Sequence, residues 1–342
     1  MAVSVKGAIS LLARSPTALF PIALGLAGLG SAIIIAAQTL DILFAYSIGS
    51  GLLIAAAFVL LADIVLYFTK FVRARQAVSE DFSIATRANL LAPGFMAAML
   101  IGGAWSETSS LGWIVWLMAS IGHLALLFKF VGRWLVKEFA PADINPTWFL
   151  PAAGIMTSAL SWPQHGPIEF PLFLLSVGAI LWLMLLPIIF RRLVFEPAMA
   201  PGLRPTLFIL GAPFGLLAGG LHTIVPFIHP EITFALLSVG GFLVLVISFQ
   251  LRFLTQAGVC LSWWAATFPI SVISAGFFQL HNFETSATLY AAVLFLTLAG
   301  FTTIIAVLAT IRTAWCTCAN TIPETEHQIK AMMGNPSDSS NL

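Results

Sequence analysis

The sequence has 342 residues, of which 59% are hydrophobic and only 8% charged. Soluble domains carry roughly a quarter charged residues, so this composition excludes one of any size and points to a polytopic α-helical membrane protein. The formal net charge is +1, and no nucleic-acid partner is expected.

Residues 1–15 carry Lys6 and Arg14 around a short apolar stretch. That stretch is too short for a signal peptide and no small-residue cleavage site follows it, so an amphipathic segment on the inner membrane face is expected. Apolar runs of about 20 residues, each enough to cross a hydrocarbon core of about 30 Å, then recur to residue 311. They place ten spans near 16–37, 47–69, 89–105, 110–131, 146–162, 170–190, 205–225, 231–251, 257–279 and 285–311. Residues 16–311 thus form the membrane domain, and 312–342 are expected to be a disordered cytoplasmic tail.

The charges sort by side. Lys70, Arg73, Arg75 and Arg87 fall between spans 2 and 3, and Lys129, Arg133 and Lys137 around the link from span 4 to span 5. Arg191, Arg192 and Arg204 lie between spans 6 and 7, Arg252 between 8 and 9, and Arg312 and Lys330 after span 10. With Lys6 and Arg14, all fifteen Lys and Arg lie on one side, which the positive-inside rule makes cytoplasmic, with both termini inside. The opposite loops carry Asp41, Glu107, Glu169, Glu231 and Glu284 and no cation.

The odd spans share a repeat in which proline is followed by glycine or other small residues. They read F-P-I-A-L-G-L-A-G-L-G from Phe20, A-P-G-F-M-A-A from Ala92, L-P-A-A-G from Leu150, A-P-F-G-L-L-A-G-G from Ala212 and F-P-I-S-V-I-S-A-G from Phe268. Their prolines are Pro21, Pro93, Pro151, Pro213 and Pro269, one per helical hairpin. Proline and glycine are common in membrane helices generally; their restriction to alternate spans is the informative feature. Proline inside a helix forces a kink, and small residues permit close backbone approach. The odd spans are therefore expected to form an inner ring, with Phe20 and the five prolines at its lining or kinks, and the even spans an outer, lipid-facing ring. In span 9 Phe268 stands immediately before Pro269. We read this segment as pore-lining and Phe268 as its closure.

Three odd spans open with x-P-T, at Ser15-Pro16-Thr17, Asn145-Pro146-Thr147 and Arg204-Pro205-Thr206. Proline suits a first helical turn, so the positive dipole ends of these helices face the basic side. Together with nearby cations, Arg87, Lys137 and Arg204 among them, they form an anion-attracting mouth. Asp63 within span 2 is expected to pair with Lys70 or Arg73, and His123 within span 4 to bond a neighbouring helix.

No zincin, nucleophile-elbow or phosphate-loop motif occurs, so an integral-membrane enzyme is the remote alternative. Cys260, Cys316 and Cys318 form neither a disulfide framework nor a metal motif, and no cofactor is expected.

The hairpin repeat, N-P-T-W-F-L-P-A-A in span 5 and W-W-A-A-T-F-P in span 9 resemble the tellurite-resistance/dicarboxylate transporter family over roughly residues 15–312. That family includes slow-type anion channels, bacterial tellurite-resistance membrane proteins, malate permeases and sulfite exporters. The resemblance implies five hairpins in quasi-fivefold arrangement, a central pore of odd helices, a homotrimer with one pore per subunit, and a gating phenylalanine at Phe268. Its implied substrates are small anions (chloride, nitrate, sulfite, tellurite or dicarboxylate), handled by a channel or exporter in a bacterial inner membrane. A proton-coupled C4-dicarboxylate or sulfite carrier is the alternative. In span 1 the family often has glycine after the phenylalanine, where this chain has Pro21.

Overall fold

The computed structural model describes residues 17–225, 227–280 and 286–332, with side chains as far as Ala314. The 1–15 segment and Glu284 lie outside the described residues. Every regular element among those described is helical. Among the described residues, nine helices are long and apolar enough to cross a membrane. They are Thr17–Leu40 (span 1), Leu43–Arg73 (span 2), Ala85–Trp105 (span 3), Ser110–Val136 (span 4), Glu169–Phe195 (span 6), Pro201–Ile224 (span 7), Pro230–Ser248 (span 8), Leu261–Leu280 (span 9) and Ser286–Ala314 (span 10). A surface helix, Arg75–Ser83, joins spans 2 and 3. The backbone of the last helix continues to Met332, beyond the boundary expected at 311.

The stretch expected as span 5 is not one helix. It consists of a 3-10 turn Pro146–Trp148, a short α-helix Phe149–Ala152, a second 3-10 turn Gly154–Met156 and a last α-turn Thr157–Leu160. Pro151 brings no N–H to the helical ladder and Gly154 loses more backbone freedom than other residues on becoming helical. Irregular backbone is tolerated at membrane depth where protein buries it. Here Asn145 through Ala159 are all buried.

Spans 1, 3, 5, 7 and 9 pack each on the next, and span 9 packs back on span 1, closing a five-membered ring. Each even span packs on the odd member of its own hairpin and on the odd span that follows. Spans 1, 3, 7 and 9 are 61–89% buried and the five even spans only 22–39%. This is the inner and outer ring of the five-hairpin reading.

Three of the five prolines are not interior kinks. Pro21, Pro93 and Pro213 stand in the first turn of the α-helices Phe20–Leu40, Ala92–Trp105 and Ala212–Ile224. Proline is at no disadvantage there, because a first-turn N–H has no helical partner to lose. Each marks where an irregular or 3-10 segment gives way to α-helix; in span 7 that segment is Pro201–Gly211. Pro269 does lie inside its helix, Trp264–Leu280, where it denies the Ala265 carbonyl a partner.

Candidate conduction pathway

Spans 1 and 9 approach closely, and glycine makes that possible. A Cβ on Gly25 would lie 2.2 Å from Thr267 Oγ1, and one on Gly28 would lie 2.7 Å from Cδ2 of Phe268. The Phe268 ring therefore rests on bare backbone of span 1, and only 3% of the residue is exposed. Span 9 is also fastened outward. Trp264 Nε1 donates to Thr310 Oγ1 at 2.8 Å, and Ser274 Oγ to the Ala292 carbonyl at 2.9 Å, both on span 10. Thr267 and Ser271 spend their hydroxyls on carbonyls within span 9, those of Trp264 and Thr267.

Inside the ring is an apolar cavity of about 20 Å³, lined by all five odd spans. Pro21, Pro93, Pro213 and Pro269 lie on its wall together with Phe268. Pro151 does not; its neighbours Leu150 and Ala153 take that place. The Pro151 carbonyl instead accepts a hydrogen bond from His123 Nε2 at 3.1 Å, which holds the broken span 5 against span 4. Sequence reasoning missed Leu24, Met96 and Leu216 on the same wall. The signal was present, since each stands three residues after a lining proline, one helical turn further on the same face.

A second cavity, about 360 Å³, opens toward the acidic loops. Its lining is mixed, with Ser31, Gln38, Ser161, Gln164, Thr223 and Gln279 as uncharged polar groups among apolar side chains, and Glu107 as the one charged residue among the described residues. Among the described residues, Phe268 is the single one that lines both cavities. Neither cavity has a Lys or Arg on its wall among the described residues.

Other expected site residues lie elsewhere. Phe20 is turned outward, its ring edge-on to Tyr67 at 5.8 Å between centroids and against Gly94. Arg87 is exposed, with its guanidinium 3.9 Å from Asp81, and Lys137 is exposed beside the Phe139 ring at 5.6 Å. Arg204 is buried rather than presented at a mouth. Its Nε donates to the Met199 carbonyl at 3.0 Å, its Nη1 to the Phe253 carbonyl at 3.2 Å and to Gln256 Oε1, and its face covers the Phe253 ring. Asp63 does not pair with Lys70. Lys70 bonds Asp81 at 2.6 Å, both nearly fully buried, while Asp63 Oδ2 has no hydrogen-bond partner among the described residues. Of the x-P-T motifs, Asn145 caps its own turn by accepting from the Thr147 N–H at 3.1 Å.

A model of the SLAC1 family, described as voltage-dependent anion channel, matches residues 14–317. The chain belongs to that family. Two similar proteins are S-type anion channels of Arabidopsis thaliana. SLAH3 is 23% identical over 229 residues, 66% of this chain and 36% of the relative; SLAH2 is 24% identical over 262 residues, 73% and 49%. The chain thus spans half or less of the length of these relatives. The family match covers every element of the ring, including Phe268 and both cavities it borders. In this chain the even spans form the exposed shell and the odd spans the enclosed core.

Proposed function

We propose that this protein conducts small anions through the axis of the five-helix ring and that Phe268 is its gate. The observation that carries this reading is the position of Phe268 between an apolar cavity and a partly polar vestibule, with no other described residue common to both. A side chain so placed bars water and ions, and an apolar constriction gates by excluding water. The absence of Lys and Arg from both cavity walls supports weak-binding conduction over carriage of a dicarboxylate or sulfite, which calls for a cation at the binding site. Chloride, nitrate, sulfite and tellurite are the candidate anions for such a pathway.

The basic face is the cytoplasmic one in this account, in a bacterial inner membrane, and the protein acts as a homotrimer with a pore in each subunit. Arg87 and Lys137 raise the local anion concentration there. Glu107 disfavours anions approaching from the other face, which suits outward flow. Planar-bilayer recording of the purified protein with a panel of anions tests the function. Anion-selective current is the expected result, and cation selectivity or strict coupling to protons would refute it. Reporters fused after Glu107, Glu169 or Glu231 are expected to read periplasmic, and after Arg75, Lys137 or Arg192 cytoplasmic.

A further inference from the structure

On the outside of the ring spans 2 and 4 stand apart, leaving an apolar cleft of about 600 Å³ floored by Phe20 of span 1 and by span 3. Phe71 and Phe82 line it at its basic end, and Leu60 and Met118 lie deeper. From Phe71 to Leu60 the cleft follows span 2 for about 16 Å at helical rise. Half of a bilayer's hydrocarbon core is about 15 Å. The groove therefore matches one leaflet in depth.

The charges at its basic end differ from its walls. The Lys129 ammonium lies 3.6 Å from the centroid of the Phe82 ring, and the Arg75 guanidinium 6.0 Å from that of Phe71. Both cations are exposed. Arg133 ties the surface helix in place by donating to the Phe82 carbonyl, which fixes the rim of the cleft. Of the acids on that helix, Asp81 is taken up by Lys70 and Arg87, and exposed Glu80 is left to offset one cation.

We infer that this cleft is a binding site for an anionic phospholipid, with one acyl chain between spans 2 and 4 and the phosphate on Lys129 and Arg75. Apolar length and cationic rim are complementary to that one class of molecule, since basic residues at the end of an intramembrane groove select acidic headgroups. The lipid would lie against the pore wall. Phe20 and Gly94 line the cleft, while their chain neighbours Pro21 and Pro93 line the inner cavity.

The test is a titration of delipidated protein in detergent with phosphatidylglycerol and with phosphatidylcholine of the same chains, followed by native mass spectrometry. This readout is independent of anion conduction. The expected result is one saturable phosphatidylglycerol per chain, held about tenfold more tightly than phosphatidylcholine, the advantage shrinking as salt rises. R75Q/K129Q is expected to erase the difference between the two lipids, and Ala98→Leu, on the cleft wall, to weaken both. Lys129→Arg keeps the charge and is expected to keep the preference. Equal binding of the two lipids to the unmodified protein overturns the site. So does a preference that survives in folded R75Q/K129Q, or one undiminished at about 1 M salt. Disulfide linkage of Met118→Cys between two copies in native membranes, with no lipid retained, would assign the cleft to a subunit interface instead.

Discussion

At the residue scale, charge and burial separate side chains that look alike in sequence. Arg87 and Arg204 both flank odd spans on the basic side, yet Arg87 reaches solvent and Arg204 is enclosed by Met199, Phe253 and Gln256. A buried guanidinium with satisfied donors holds structure together; its loss strands the carbonyls it served. Arg204→Gln is therefore expected to cost roughly 1.5–3 kcal/mol, the range for hydrogen bonds to a charged group. The measurement is a lowered melting temperature in detergent with anion selectivity unchanged. A stable Arg204→Gln protein with weakened current at low salt would return this residue to the mouth. Sequence shows that an arginine is present but not what encloses it. The groups around the Arg204 guanidinium include Phe253 and Gln256, far along the chain, and only folding brings them near.

The same limit applies to direction around a helix. Successive residues differ by about 100°, so Phe20 faces the outer cleft while Pro21 faces the pore cavity. Proline is easily recognised because it alters the backbone itself. The side on which its neighbour lies depends on where the helix begins, and Pro21 opens the helix rather than interrupting it. Pro151 shows a related shift, with Leu150 on the cavity wall and the Pro151 carbonyl on His123.

At the element scale, the hairpins and the alternation of rings were legible because they rest on hydropathy, charge sidedness and small-residue content, all local quantities. Span 5 was not, because hydropathy registers an apolar run whether or not its hydrogen-bond ladder is continuous. Its broken backbone depends on outside partners. His123 supplies one, and Trp116 Nε1 supplies another to the Ser158 carbonyl at 3.0 Å. His123→Leu is expected to strand the Pro151 carbonyl at a cost of about 1–3 kcal/mol. Thermal unfolding in detergent should show that loss while the pH dependence of current stays as in the unmodified protein. A changed pH profile with unchanged melting would make His123 a proton relay.

Across the whole molecule, neither cavity has a Lys or Arg on its wall among the described residues, so on the proposed function anion preference arises from fields at the ends of the pathway. Such fields act through water and are screened beyond about 10 Å at 0.1 M salt. Neutralising Arg87 and Lys137 together is expected to reduce anion current several-fold at low ionic strength and little at high. Equal loss at both ionic strengths would mean direct coordination or misassembly. The lack of Lys and Arg within the apolar runs of the odd spans was legible in the sequence, because it is a local property of each run. The polar lining of the outer vestibule was not. Gln38, Gln164 and Gln279 come from three separate stretches of chain.

The central claim is that Phe268 alone closes the route between the two cavities. Its ring rests on Gly28, where no side chain opposes it, and it borders the apolar cavity on one side and the vestibule on the other. Removing the ring should join the two spaces without dismantling the contacts of Trp264 and Ser274 that hold span 9 to span 10. A core phenylalanine, by contrast, costs about 3–5 kcal/mol when truncated. The decisive measurement is single-channel current from reconstituted Phe268→Ala beside the unmodified protein, with detergent melting recorded on both. A large gain in anion current from a folded mutant is the predicted result. Unchanged current from a correctly assembled mutant, or marked destabilisation with no added conductance, would contradict it.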